Sequence, residues 1–237
     1  GGKKFYLTPV LPFAVLLLAG MNPYDAAIHT FGTAGTGGFS NYGASIAAFH
    51  SPLIEWIITF FMVLFGINFA LFYRAITGDW RDALRSEELH WYLGIYGTAT
   101  IFSTMLLLPR YHGFWEALRY GSFQVASVMS TTGYATADFN LWPVAVKMVL
   151  LLVMIVGGCA GSTAGGIKVV RTALLFKLGR REIRHTFQPR KVQVVRFEGK
   201  GVEEGMLSQV AMFFCVYVLM LLLGAFAISL EGRFDVE

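Results

Sequence analysis

Apolar residues in this chain gather in long runs, and five of the runs match or approach the ~20 residues that a helix needs to cross a ~30 Å hydrocarbon core. They are Phe5–Gly20, Pro52–Tyr73, Leu89–Pro109, Pro143–Arg171 and Met206–Leu230. The first is short and holds Pro9 and Pro12, so it reads as a truncated span or one whose opening turns precede Gly1. Between the first and second runs, and again between the third and fourth, lie stretches too polar to cross and too apolar to be free loops. Asn22 suits a helix cap, Pro23 the first helical position and Asp25 the N-terminal dipole, which predicts a helix of about ten residues through Phe31. A counterpart is predicted from about Gly113 to Met129. At ~1.5 Å per residue the first reaches about halfway across the core. Half-membrane helices leading into Thr/Gly loops have the pattern of re-entrant pore loops.

Those loops repeat. Thr36-Gly37-Gly38-Phe39-Ser40 corresponds to Thr131-Thr132-Gly133-Tyr134-Ala135, an offset of 131 − 36 = 95 residues. Each follows a short predicted helix and precedes a run that begins near a proline, so the unit is span, half-helix, Thr/Gly loop, span. Matched hydropathy over so long a period indicates a duplicated membrane unit. A permeating cation must exchange its hydration shell for oxygens, and backbone carbonyls with Thr hydroxyls supply neutral ones. Gly38 and Gly133 allow backbone angles that turn carbonyls to an axis, where a side chain would collide. Neither loop contains a carboxylate, and Asp138 lies downstream, which favours a monovalent cation over Ca²⁺ or Mg²⁺. One such cluster alone would pass for ordinary loop composition.

Composition fits that picture. The 237 residues are 55% hydrophobic and 14% charged, with a mean hydropathy of +0.57, against about 25% charged in a soluble domain. Two cysteines, Cys159 and Cys215, exclude a disulfide scaffold. A pI of 9.1 and net charge of +4 would suit a nucleic-acid partner, but the basic residues are distributed as membrane topology distributes them. If the runs alternate across the membrane, Lys3, Lys4, Arg74, Arg81, Arg85 and ten residues from Lys168 to Lys200 share one side, 15 of 19 in all. That side is expected to be cytoplasmic in a multi-pass cell-membrane protein, with both loops outside, provided both are re-entrant. Lys177, Arg180, Arg181, Arg184, Arg190 and Lys191 lead into the alternating run Val192–Phe197, which predicts a basic helix end followed by a small hairpin. This segment reads either as a surface facing lipid headgroups or as a docking surface for a cytoplasmic partner, with Arg180, Arg181 and Arg184 as the docking candidates. The expected organisation is a first repeat over 1–76, a linker over 77–88, a second repeat over 89–176, a basic segment over 177–205 and a further span over 206–237.

The fourth run contains Gly157-Gly158-Cys159-Ala160-Gly161-Ser162-Thr163-Ala164-Gly165-Gly166 before Ile167-Lys168. Five glycines in ten residues disfavour a helix, since each costs ~1 kcal/mol relative to Ala. Unwound backbone at membrane depth needs protein or water to satisfy it, and below two filter-like loops it reads as a gate. A small-residue packing face and a simple kink stay open as alternatives, whereas a phosphate loop would need Lys-Ser/Thr directly after its last Gly. His29 and His50 near the outer mouth read as hydrogen-bonded interface residues. Lys147 and Glu55 are either functional membrane charges or residues close enough to the surface to snorkel. Trp56, Trp80, Trp91, Trp115 and Trp142 fall where an interfacial aromatic belt would place them.

The two Thr/Gly loops and the Gly157–Lys168 stretch resemble the Trk/Ktr/HKT superfamily of potassium transporters, over about residues 20–200. The resemblance implies an all-α membrane protein whose K⁺ channel-like pore is built from four span–pore helix–filter loop–span repeats. The filter residues would then be Thr36, Gly37, Gly38 and Phe39 with Thr131, Thr132, Gly133 and Tyr134. K⁺ would be the transported ion, no covalently bound cofactor would be needed, and Gly157–Gly166 would gate flow. The resemblance also implies a homodimer and a cytoplasmic ring of RCK-type nucleotide-binding subunits. Only two filter loops are present, so the chain is expected to be part of a longer protein. The alternative is a membrane scaffold or assembly subunit that keeps the fold without conducting. An enzyme is not expected, since no His/Glu/Asp cluster or nucleophile–base pair is present.

Overall fold

The computed structural model describes residues 9–78, 80–188 and 194–230, which form ten α-helices and one short hairpin. They fall into two compact units divided at residues 169 and 170. In the first unit, α1 (Val10–Leu18) precedes α2 (Pro23–Ala34), whose start is set as the sequence implies: Asn22 Oδ1 accepts from the Asp25 N–H at 2.8 Å and Pro23 sits in the first turn. A 3₁₀ turn at Ser45–Phe49 leads to α3 (Pro52–Phe65), capped by Ser51. The run Pro52–Tyr73 is not one continuous helix. It breaks at Gly66-Ile67-Asn68, and α4 (Phe69–Thr77) leaves at 95° to α3. Asn68 enforces the break by capping the new helix, its Oδ1 accepting from the Ala70 N–H at 2.9 Å. The expected linker contains a short helix, α5 (Trp80–Leu84).

The second copy of the unit follows. Helix α6 (Glu87–Leu107) is long and apolar enough to cross a membrane, and α7 (Phe114–Met129) is its half-length successor. A 3₁₀ turn at Phe139–Leu141 and Pro143 then introduce α8 (Val144–Val156). Thus α3 and α8 each start beside a proline and stop at a glycine, Gly66 and Gly157. Helix α7 lies at the centre. One face joins α6 and α8 in a core that includes Tyr92, Leu107, Val125, Met129, Val146 and Val153. Its other face supplies Phe123 and Ala126 to a core with Leu16, Ile46, Ile58 and Met62 from the first repeat. Trp142 is buried and donates to the Tyr111 hydroxyl at 3.1 Å, so it belongs to the core rather than to an interfacial belt.

The second unit contains α9, which runs from Val169 to Phe187, the strands β1 (Arg196–Phe197) and β2 (Lys200–Gly201), and α10 (Glu204–Leu230). Leu174, Val195, Leu207 and Val210 form its small core. The 27 residues of α10 are the most apolar long helix among those described, and their side chains point outward almost throughout, as a lipid-facing span requires. Val192 and Gln193 of the predicted alternating run lie outside the described residues, as do Arg190, Lys191 and the start of the first run through Thr8.

Candidate functional site

The two Thr/Gly loops end their helices with the same hydrogen bonds, residue for residue. After α2, Gly35 N–H donates to Phe31 O, Thr36 to Thr33 O, and both Gly37 and Gly38 to Gly32 O. After α7, Ser130 donates to Ala126 O, Thr131 to Val128 O, and both Thr132 and Gly133 to Ser127 O. Every pair is displaced by the same 131 − 36 = 95 residues found in the sequence. The backbone angles repeat too: φ is +49° at Thr36 and +63° at Gly38, and +56° at Thr131 and +87° at Gly133. A left-handed threonine is uncommon and strained, and here the same strain occupies the same position twice.

The consequence is a set of unused acceptors. Among the described residues, the carbonyl oxygens of Thr36, Gly37, Gly38, Thr131, Thr132 and Gly133 accept no hydrogen bond. Buried or half-buried carbonyls are almost always satisfied, and four of the six belong to buried or half-buried residues, Thr36, Gly38, Thr131 and Thr132, while Gly37 and Gly133 are exposed. The two equivalent turns thus offer a place for a group that carries positive charge.

The loops are held against each other. Tyr134 is fully buried, and its hydroxyl donates to Phe39 O at 3.2 Å and lies 3.4 Å from His29 O. A Cβ built on Gly38 would stand 1.9 Å from Thr132 O, so the first loop's backbone packs directly on the second's. Ala47 N–H also donates to Ala135 O at 3.3 Å. His29 is part of this frame, with ring nitrogens 2.8 Å from Asp25 O and 3.0 Å from Ser40 Oγ. Glu55 on α3 pairs with Arg119 on α7 at 3.3 Å, which makes it a buried tie between the repeats rather than a snorkelling charge. Lys147 on α8 donates to Asn140 O, in the turn before that helix, at 3.4 Å. Where α2 begins, the Asp25 carboxylate accepts from Asn22 at 2.7 Å, Asn41 at 2.6 Å and Tyr42 at 2.8 Å. Burial pulls its pKa upward, but the hydrogen bonds from Tyr42, Asn41 and Asn22, with His29 nearby, outweigh that and hold it below the usual carboxylate range.

The glycine-rich stretch forms a loop closed at its neck. Ile167 N–H donates to Ile155 O and Lys168 N–H to Val156 O, both at 2.9 Å, and a Cβ on Gly157 would meet Gly165 O at 2.1 Å. The loop touches both Thr/Gly loops through the two equivalent threonines. Thr36 Oγ1 donates to Thr163 O at 3.1 Å, and Gly165 N–H donates to Thr131 Oγ1 at 2.7 Å. Its other side rests on the break after α3, where Cys159 N–H donates to Gly66 O at 2.9 Å and Phe69 N–H to Gly161 O at 3.3 Å. Ala160 N–H donates to Glu88 Oε1 at 2.5 Å, and Asn68 holds the other carboxylate oxygen at 3.3 Å. Lys168, with φ of +80°, folds its ammonium onto Ser162 O and Ala164 O.

The expected loop residues 36–39, 131–134 and 157–166 therefore come together. Among the docking candidates, Arg180 and Arg184 are exposed, whereas Arg181 is bound to Glu182 and Glu204. The hydropathy pattern does not mark Gly66, Asn68 and Glu88 as neighbours of the glycine-rich loop. The available signal was a Gly and an Asn inside the run Pro52–Tyr73, at the point where the other copy of the unit has Gly157. Among the described residues, no group of three or more His, Cys, Asp or Glu side chains could hold a metal ion.

A family model described as TrkH, cation transport protein, matches residues 5–109 and 115–236. The chain is 34% identical over 240 residues to the Trk system potassium uptake protein TrkH of Escherichia coli K12, covering 98% of this chain and 48% of that protein. It is 35% identical over 221 residues to the Halomonas elongata protein of the same name, covering 91% and 45%. It is similar also to the crystal structure of the potassium transporter TrkH from Vibrio parahaemolyticus, with a TM-score of 0.92 and 30% identity, covering 98% of this chain and 51% of that one. The chain thus spans about half the length of the relatives it matches.

Proposed function

Because this chain belongs to the TrkH family of cation transport proteins, we propose that it forms part of a potassium uptake pathway in the cell membrane. The observation that carries this reading is the pair of matched turns, each leaving three carbonyl oxygens without a donor. Carbonyl oxygens of Thr36–Phe39 and Thr131–Tyr134 replace the water around K⁺, and the strained Thr and Gly positions orient them. Phe39 O and Tyr134 O are the exceptions, since the Tyr134 hydroxyl already donates to the first and Ser127 Oγ to the second. The ring of Tyr134 packs inside the first repeat, while Phe39, its counterpart, is 80% exposed. Another copy of the unit covers Phe39 in the same way when the pore is complete.

Gly157–Gly166 is the gate. It hydrogen-bonds to Thr36 and Thr131 directly beneath both loops, and its own glycines let it fold tightly enough to obstruct the path. The loops face outside and the basic 168–200 segment faces the cytoplasm. The whole protein works as a homodimer and recruits a cytoplasmic ring of RCK-type nucleotide-binding subunits. It transports K⁺ rather than catalysing a reaction.

The test is K⁺ uptake by a host lacking its own uptake systems, supplied with the whole protein that carries this chain. Uptake that favours K⁺ over Na⁺ supports the reading. Membrane-inserted protein with no uptake would instead favour the non-conducting scaffold.

A further inference from the structure

Outside the conduction site, the second unit contains a cleft of about 210 Å³ between α9 and the segment leading into β1. Its basic side chains are Lys177, Arg180, Arg181, Arg184 and Arg196, beside Val194 and Val195. The first four recur at three- and four-residue intervals, so they share one face of α9. The cleft is preformed. Lys177 Nζ donates to Arg196 O at 2.6 Å and lies over the Phe197 ring at 5.3 Å, and Val195 is buried in the unit's core, so the hairpin is fixed against the helix.

Two of these cations already have partners: Lys177 holds the hairpin, and Arg181 forms ion pairs with Glu182 and Glu204. Among the described residues, no acidic side chain pairs with Arg180, Arg184 or Arg196. Like charges one helical turn apart disfavour the helix by a few tenths of a kcal/mol, so an anion from outside the described chain would stabilise the arrangement. Glu204 fixes the depth of the cleft. It is the first residue of α10, whose apolar run begins at Met206, and its bond to Arg181 ties this face of α9 to the membrane boundary. The cleft is smaller than the ~300 Å³ at which ordinary small-molecule pockets begin and admits a compact anionic group.

We propose that Arg180, Arg184 and Arg196 form a binding site for the phosphate of an anionic phospholipid headgroup at the inner membrane surface. Guanidinium forks match phosphate oxygens bidentately, and a basic cleft at headgroup depth is where an anionic leaflet concentrates such groups. The site anchors the second unit to the leaflet, and it is independent of whether the loops conduct K⁺.

Native mass spectrometry of the whole protein in neutral detergent tests this, with phosphatidylglycerol, phosphatidylcholine and inorganic phosphate as separate probes. Phosphatidylglycerol is expected to bind in preference to phosphatidylcholine, and the triple variant Arg180→Gln/Arg184→Gln/Arg196→Gln is expected to weaken it about tenfold or more. The corresponding triple Lys variant, which keeps the charge but not the bidentate fork, should bind more tightly than the Gln variant and less tightly than the native chain, and shows that substitution there does not unfold the unit. Equal retention of phosphatidylglycerol by the Gln variant, or no preference over phosphatidylcholine, overturns the proposal. So does binding of inorganic phosphate without phosphatidylglycerol, which would assign the cleft to a soluble ligand. Loss of a cytoplasmic protein partner with lipid binding unchanged would likewise overturn it, and would make these arginines a protein-docking surface.

Discussion

Gly38 and Gly133 occupy equivalent positions, yet a methyl group should affect them differently. At both, φ is in the left-handed region, +63° and +87°, where any residue with a Cβ is disfavoured by ~1–2 kcal/mol. At Gly133 that is the whole effect, because nothing lies within 4 Å of an added Cβ. At Gly38 the added carbon would stand 1.9 Å from Thr132 O and 2.9 Å from its carbonyl carbon, both backbone atoms. No side chain can rotate to make room, so the two loops must separate, and forcing volume into packed space adds ~1–3 kcal/mol. Gly38→Ala should therefore destabilise by about 2–5 kcal/mol and Gly133→Ala by about 1–2. In thermal unfolding of the purified protein, Gly38→Ala should melt lower, by roughly 2–4 °C per kcal/mol of difference. Because the displaced atom is one of the free carbonyls, Gly38→Ala should also lower the preference for K⁺ over Na⁺ in transport. Equal melting of the two variants, with ion preference intact in Gly38→Ala, would refute the packing of one loop on the other.

Further tests address the glycine-rich loop and the N-terminal end of α2. Glu88→Ala removes the acceptor for the half-buried Ala160 N–H and for Asn68; a fully buried orphaned donor would cost ~1–3 kcal/mol, so the cost here should fall towards the lower end. The glycine-rich loop should loosen and basal ion flux should rise; unchanged or lower flux in folded protein would count against a barrier role for the loop. Asp25 has a folded-state pKa below its ordinary value, so its stabilising effect is full above the unfolded carboxylate pKa of ~3.9 and is lost as pH falls through the folded value. Thermal unfolding at about pH 7 and about pH 3 should show a larger acid loss for the native chain than for Asp25→Asn, and equal losses would remove Asp25 from that role.

Much of this arrangement is legible in the chain, because hydropathy and turn chemistry act locally. Asn22-Pro23 and Pro143 mark helix starts that the structure shares, and the 95-residue offset read from Thr36 and Thr131 holds for each hydrogen bond of the turns. The break after Phe65 is less visible. Ile67 and Phe69–Tyr73 keep the run apolar, and hydropathy alone does not register that Asn68 caps a new helix. Long-range ties leave no periodic trace at all. Glu88 lies in the first turn of α6, where an acidic residue is favoured in any helix, and only the fold brings it to Ala160, 72 residues away. Trp142 shows the same limit from the other side, since a tryptophan near a span end suits an interface or a core equally well until its neighbours are known.

The most direct measurement is anomalous scattering from Rb⁺ or Tl⁺, which stand in for K⁺, in crystals of the whole protein. Density within coordinating distance of the carbonyl oxygens of residues 36–38 and 131–133, and above the glycine-rich loop, is the expected result. Density confined to other sites, or none at these six oxygens while the protein transports K⁺, would contradict the assignment of the loops as the filter.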